Sequence, residues 1–336
     1  MTIDRVPELP VGWRPLSTDD LPALVRLENA SGAADGERFP ETLGDLTSLL
    51  ISPTMELERM SVVVEDATGA QVGWCGLEPR IGGVMWNRIH VHGSVHPAAR
   101  GQGLGRTLLG WAEVRSSSVF EASDASQRAL PDVLTVHANE ASTGRAGLQD
   151  RSGYRLVRWY SDMLRSLAEP LPPTSLRGGD RFVGWSRERD AAFHAADVEA
   201  FGDHWGSAPW SAEAWRHEYA DDDGFRPDLT VGVEHDGEIV GYVMVASYGG
   251  IEDDDGRPVA WLARLGTRRD HRGRGIGAAA ITRALGLARE AGFATAGLDV
   301  DTDSVTGALR IYERLGFYPV RRLALRAKTI REAEAA

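Results

Sequence analysis

At 336 residues the chain allows about two domains of ordinary size, each able to bury its own core. Its formal net charge of −12 argues against a nucleic-acid backbone or an anionic membrane as partner and suits a cationic amine. Cys75 is the one cysteine, which excludes a disulfide framework and a thiolate metal cluster; with no basic leader before an apolar core and no run of about 18 apolar residues, a cytoplasmic protein is expected.

Val11 to Leu16 predicts a first strand, and Ser17, Thr18, Asp19 and Asp20 offer capping side chains to a helix with apolar positions Leu21, Leu24, Val25 and Leu27. A short helix is expected over 43–50, then a hairpin of 61–65 and 71–77, then a strand from Trp86 to Val95. That strand runs toward Arg100, Gly101, Gln102, Gly103, Leu104 and Gly105, and a helix is expected from Leu104 to Val114. Ser116 to Gln127 reads as a polar extension or loop, and Val133 to His137 as the next strand.

Glu169 to Pro173, followed by Arg177 to Asp180, is the expected domain boundary, because its prolines cannot continue a helix or serve an inner strand. The expected organisation is therefore a domain over 1–168, a linker over 169–180 and a domain over 181–336. After the linker the pattern restarts: a strand over 181–185, helices over 190–201 and 212–219, and a hairpin of 229–234 and 238–247. The acidic runs Asp221 to Asp223 and Glu252 to Asp255 read as solvated turns, since neither has the spacing of a calcium loop, and no metal is expected.

Ala260 to Thr267 reads as a buried strand leading to Arg272, Gly273, Arg274, Gly275, Ile276 and Gly277, where an Ala-rich helix opens. Glycines entering a helix N-terminus supply bare amides and the positive end of the helix dipole, which suits a pyrophosphate. The turn at Arg100 to Gly105 has the same form about half a chain earlier, and a repeat on that scale means two domains, since solenoid periods run about 20–50 residues. Ala308 to Phe317 reads as a helix ended by Gly316 and an aromatic strand start, and Val320 to Ala327 alternates as a half-exposed strand.

Strand, Arg-x-x-Gly-x-Gly turn, helix, strand, then Tyr312-Glu313-Arg314-Leu315-Gly316-Phe317 resembles the GNAT superfamily of CoA-dependent N-acyltransferases. The repeated turn makes the chain similar to a tandem member, in the arrangement of the mycothiol synthases. The resemblance implies an α/β (α+β) fold, each domain a mixed, mostly antiparallel sheet flanked by helices. It implies acetyl-CoA as co-substrate, its pyrophosphate held by the turn from Arg272 to Ala278 and its pantetheine arm by Leu265, Gly266 and Thr267. The side chains of Arg272 and Arg274 could add charge near the phosphates. Val95 and Arg100 to Gly105 would form the matching cradle in the first half.

Tyr312 lies four residues before Gly316, where the family's tyrosine protonates the departing CoA thiolate. A phenol of pKa about 10 is a competent donor to a thiolate of pKa about 8.5. Ala308, Ile311, Tyr312 and Leu315 share one helix face, so simple packing is the alternative reading. Four residues before Gly153 stands Gln149, which cannot act as an acid, so the first domain is expected to be catalytically degenerate. Asp299, Asp301 and Asp303 alternate along the strand after the glycine-turn helix, with Asp301 the expected carboxylate at its end. His204 and Trp205 lie between the first two helices of the second half, the segment that shapes the acceptor pocket in the family.

The resulting expectation is acetyl transfer to a primary amine of a small molecule. Mycothiol synthases carry a carboxylate on the strand before the turn, where this chain has Trp261. A mycothiol synthase proper is thus an alternative, as is a non-catalytic CoA-binding sensor or scaffold.

Overall fold

The structure, a computed structural model, describes residues 10–122, 127, 129–304 and 307–333. In chain order it runs β1 (Trp13–Arg14), α1 (Leu21–Asp35), α2 (Leu43–Leu50), α3 (Leu57–Met60), β2 (Ser61–Glu65), β3 (Gln71–Arg80), β4 (Asn87–Val95), α4 (Leu104–Glu121), β5 (Asp132–Asn139), α5 (Thr143–Arg151) and β6 (Arg155–Ser166). It continues with β7 (Asp180–Gly184), α6 (Asp190–Phe201), α7 (Ala212–Trp215), β8 (Val231–His235), β9 (Glu238–Ala246), β10 (Val259–Thr267), α8 (Ile276–Glu290), β11 (Thr295–Asp301), α9 (Ala308–Arg314) and β12 (Tyr318–Arg331). No helix among the described residues is long and apolar enough to cross a membrane.

Local chemistry explains several boundaries. Thr42 caps α2 by accepting the Asp45 N–H while the Asp45 carboxylate accepts the Thr42 N–H, a reciprocal capping box. The serines after Val114 do not end α4, contrary to expectation. Leu108, Ala112, Ser116 and Phe120 form a buried stripe at helical spacing, and Ser117 returns its hydroxyl to the Glu113 carbonyl at 3.1 Å, so the helix continues to Glu121.

The chain divides into two compact units, one holding the residues up to Arg158 and from Leu323, the other Trp159 to Arg322. Strand order in the first is β1-β2-β3-β4-β5-β12, antiparallel throughout except for the parallel pair β4 and β5. In the second it is β6-β11-β10-β9-β8-β7, with β10 and β11 parallel. The units therefore do not divide at 169–180. Ser166 back to Tyr160 pairs with β11, whereas Leu323 to Arg331 pairs with β5. The proline segment is tied to the second unit, where the buried Arg165 donates to the Pro170 carbonyl at 2.9 Å.

The first core gathers Leu24, Leu27, Trp74, Leu77, Ile89 and Leu134. In the second unit Val243, Leu262, Ile276, Ile281 and Leu298 fill one face of the sheet, and Phe193, Trp215 and Tyr242 form a separate cluster with α6 and α7. The contact of Gly241 with Ile276 seats the second glycine turn, because a Cβ at Gly241 would stand 2.4 Å from Ile276 Cγ2. Gly241→Ala should therefore cost about 1–3 kcal/mol in urea unfolding. A loss below about 0.5 kcal/mol would mean that Ile276 has room to yield.

Candidate active site

The site begins where two parallel strands part. β10 pairs with β11 only from Val259 to Trp261, and its register with β9 slips between Leu262 and Arg264. Beyond that slip β10 continues to Thr267 and β11 to Asp301 without pairing to each other, which opens a fork at their carboxyl ends. Leu265, Gly266 and Thr267 line one arm of it.

At the end of that arm, Gly273 and Gly275 adopt φ of 72° and 84°, and nothing lies within 4 Å of where either Cβ would stand. Ala279 N–H bonds back to Gly275 O at 3.0 Å, so the amides of Ile276, Gly277 and Ala278 have no partner inside α8. The buried side chain of Ile276, against Gly241, anchors this turn. The arginines serve the turn's shape. Arg272 donates to the Asp203 carboxylate at 2.7 and 2.9 Å, to Ala200 O at 2.7 Å and to Thr267 O at 3.3 Å, and Arg274 holds Asp180 at 2.9 and 3.2 Å. Both guanidiniums are thus bonded to carboxylates.

Tyr312, 6 % exposed, packs edge-on to Phe317 within the second core. Among the described residues its hydroxyl has no hydrogen-bond partner. Burial, and then the charge of Asp299, raises the phenol well above its ordinary value, so it stays protonated. Asp299 is open to solvent, yet protein surrounds it densely enough that lost solvation, and then Asp162 opposite it on β6, pushes its carboxyl up to about 6.

Asp301 is the last residue of β11, the strand end expected of it. It is 5 % exposed, and its Oδ1 accepts the Asp303 N–H at 2.9 Å to close the turn after β11. Within β11, Asp299 is the exposed member of the alternating series, two residues beyond the last β10–β11 pair at Gly297; Asp303, also exposed, lies in the turn after the strand. His204 sits after α6, its Nδ1 within 3.1 Å of Trp205 O and its ring 5.3 Å from that of Phe201. No sequence motif marks the group beside it: Arg264, just past the register slip, lies 3.4 Å over the Phe201 ring and donates to Asp197 at 2.7 Å, and Asp197 also receives the Tyr242 hydroxyl. Burial, and then the charges of Asp222, Tyr219, Glu218 and Asp299, raises the Tyr248 phenol, marking an acidic surround.

The first unit repeats the scaffold with different chemistry. β4 pairs with β5 only from Asn87 to His90, Gly101 and Gly103 have φ of 78° and 88° with the Cβ space empty, and Leu104 and Gly105 open α4. Gln102 is exposed on the turn. Arg100 is tethered as Arg272 is, donating to Val95 O, Asp35 and Ser31. A cavity of about 410 Å³ lies against this turn. Gln149 is 4 % exposed and donates its amide to His137 O at 2.9 Å, fixing β5. At the fork stand three histidines unremarked from sequence, with His90 between Thr135 Oγ1 at 3.0 Å and His137 Nδ1 at 3.2 Å, and His92 against Glu78 at 3.0 Å.

The family model of the acetyltransferase (GNAT) family matches residues 191–317. A mycothiol acetyltransferase of Thermobispora bispora is 30% identical over 224 residues, covering 66% of this chain and 70% of that protein. The chain belongs to the GNAT family of acetyltransferases. It is similar to GNAT proteins along nearly its whole length: a mycothiol acetyltransferase of Nocardiopsis dassonvillei is 28% identical over 330 residues, covering 90% of this chain and 93% of its own. The crystal structure of a GCN5-related N-acetyltransferase from Sphaerobacter thermophilus superposes with a TM-score of 0.75 at 26% identity, over 98% of this chain and 99% of that one. A tandem GNAT protein from the clavulanic acid biosynthesis pathway shares the fold at 18% identity and a TM-score of 0.68, over 96% and 99% of the two chains.

Proposed function

We propose that the second unit transfers an acetyl group from acetyl-CoA to a primary amine of a small molecule by direct attack, with Tyr312 as general acid and Asp299 as general base. The observation that carries this is the glycine turn at the end of β10, open where a Cβ on Gly273 or Gly275 would stand, with the buried Tyr312 near enough to Asp299 for that carboxylate's charge to raise the phenol. Main-chain amides from Gly273 to Ala278 would hold the diphosphate, and the free edge at Leu265, Gly266 and Thr267 the pantetheine arm. Acetyl-CoA supplies the thioester carbon. Asp299 takes the proton lost by the amine as its nitrogen bonds to that carbon, and Tyr312 gives its proton to sulfur as the C–S bond breaks. The acidic surround of Tyr248 favours an acceptor that arrives as a cation, which releases one proton to solvent to free its lone pair before the attack.

A mycothiol-related acceptor is the second reading, favoured by the mycothiol acetyltransferases similar to this chain. Trp261, packed with Leu164 and Val259 where those enzymes are expected to carry a carboxylate, weighs against it. In either case Asp299 is the proton acceptor.

The pH dependence tests this assignment. Asp299 must be ionised to act, so kcat/KM should fall below an apparent pKa near 6. Asp299→Asn should remove that acid limb and lower kcat/KM by roughly 10²-fold. Stability should move oppositely. A carboxyl raised to about 6 in the folded state, against 3.8 unfolded, makes stability decline as pH rises from about 4 to 6, so above pH 6 the Asn variant should melt higher than the parent. An unchanged acid limb in Asp299→Asn would remove Asp299 from the mechanism.

A further inference from the structure

The two forks differ at one place that the glycine turns do not reveal. In the first turn of α5, Arg145 donates from Nη1 to Gly93 O at 3.2 Å and from Nη2 to Ser94 Oγ at 3.1 Å, while its Nε lies 3.5 Å from Asp35. Gly93 and Ser94 stand seven and six residues before Arg100, as Leu265 and Gly266 stand before Arg272. Arg145 therefore occupies, in the first unit, the strand edge that in the second is open to the pantetheine arm. Its counterpart there is Ala308, four residues before Tyr312 as Arg145 is four before Gln149, and alanine has no polar atom to lay across a strand. Both helices are followed by a glycine of positive φ, Gly153 at 88° and Gly316 at 86°, so the positions correspond.

We propose that Arg145 makes the cavity of the first unit a site for the nucleotide diphosphate portion of CoA, closed to the acyl-pantetheine arm. The inference rests on the reading of the glycine turns as diphosphate sites. The turn itself is kept: Gly101 and Gly103 leave the same empty space as Gly273 and Gly275, and the cavity of about 410 Å³ reaches it. Besides Arg145, which is spent on Gly93 and Ser94, arginines line that cavity at positions 100, 106 and 151, against Asp35, which already receives Arg100 at 2.8 Å. An anion is thus favoured there in a chain whose net charge is −12. The pantetheine amides could reach Gly93 only by displacing a guanidinium, exchanging charge-assisted contacts for neutral ones about half as strong.

Calorimetric titration of the full chain carrying Gly275→Val, which silences the second turn, isolates the first cavity. The probes are adenosine 3′-phosphate 5′-diphosphate and acetyl-CoA. Both should bind with dissociation constants within about threefold of each other, and Arg145→Ala in that background should tighten acetyl-CoA by about tenfold or more without changing the nucleotide. Should Arg145→Ala unfold, the reverse graft decides: Ala308→Arg, with Gly103→Val silencing the first turn, should weaken acetyl-CoA about tenfold at the second site and spare the nucleotide. Acetyl-CoA binding about tenfold more tightly than the nucleotide with Arg145 in place overturns the proposal. So does failure of both probes at the first cavity while the unmutated second site still binds acetyl-CoA and turns over. Loss of nucleotide binding at both turns overturns it together with the reading on which it rests.

Discussion

Tyr312→Phe should lower turnover by about 10²- to 10⁴-fold while leaving acetyl-CoA affinity nearly unchanged. The substitution keeps the ring that packs against Phe317 at 6.1 Å and removes one hydroxyl that has no partner among the described residues. Nothing inside the protein is orphaned, so stability should hold, and the loss falls on the step in which sulfur takes a proton. Because burial and Asp299 keep the phenol protonated, its removal cannot be offset by a change of pH near neutrality. Single-turnover rates set beside calorimetric affinity separate the two effects. Full activity in the variant would return Tyr312 to a packing role.

Gly275→Val should abolish CoA binding in the second unit and with it at least about 10²-fold of the acetylation rate. A side chain there would fill the empty space at the turn, the place where amides must approach an anion. At φ 84° the new residue is also strained, so a stability loss of about 1–3 kcal/mol should accompany it. Gly103→Val bears similar strain at φ 88° in the first unit, and its effect on rate should be confined to that stability cost. The comparison therefore separates damage to the fold from damage to the site. An isolated Gly103→Val defect in chemistry, with Gly275→Val still active, would assign turnover to the other unit.

The parts of this enzyme that were legible in the sequence are those encoded locally. Glycines that must take positive φ and the helices opening behind them marked both turns, and the run from Ala308 to Gly316 marked the helix α9 that carries Tyr312. Strand exchange was not legible, because the pairing of residues 160–166 with β11 and of 323–331 with β5 joins segments far apart in the chain. The linker prolines signalled a break in local structure, which is a different thing from a division between compact units. Alternation put Asp299, Asp301 and Asp303 on one face, but only the structure shows that Asp301 turns its carboxylate to the Asp303 N–H while Asp299 is left exposed within β11. The carboxylate partners of the turn arginines, Asp203, Asp180 and Asp35, were not legible either. Each of those partners lies outside the motif.

Mass spectrometry of the products formed from acetyl-CoA and a panel of small primary amines, with CoA thiol release measured in the same reactions, tests the central claim most directly. The account predicts an acetyl group on the amine nitrogen, CoA released in equal amount, and both signals falling together in Tyr312→Phe. CoA release that is indifferent to the amine, or an acetyl group found on oxygen or sulfur across the panel, would contradict it.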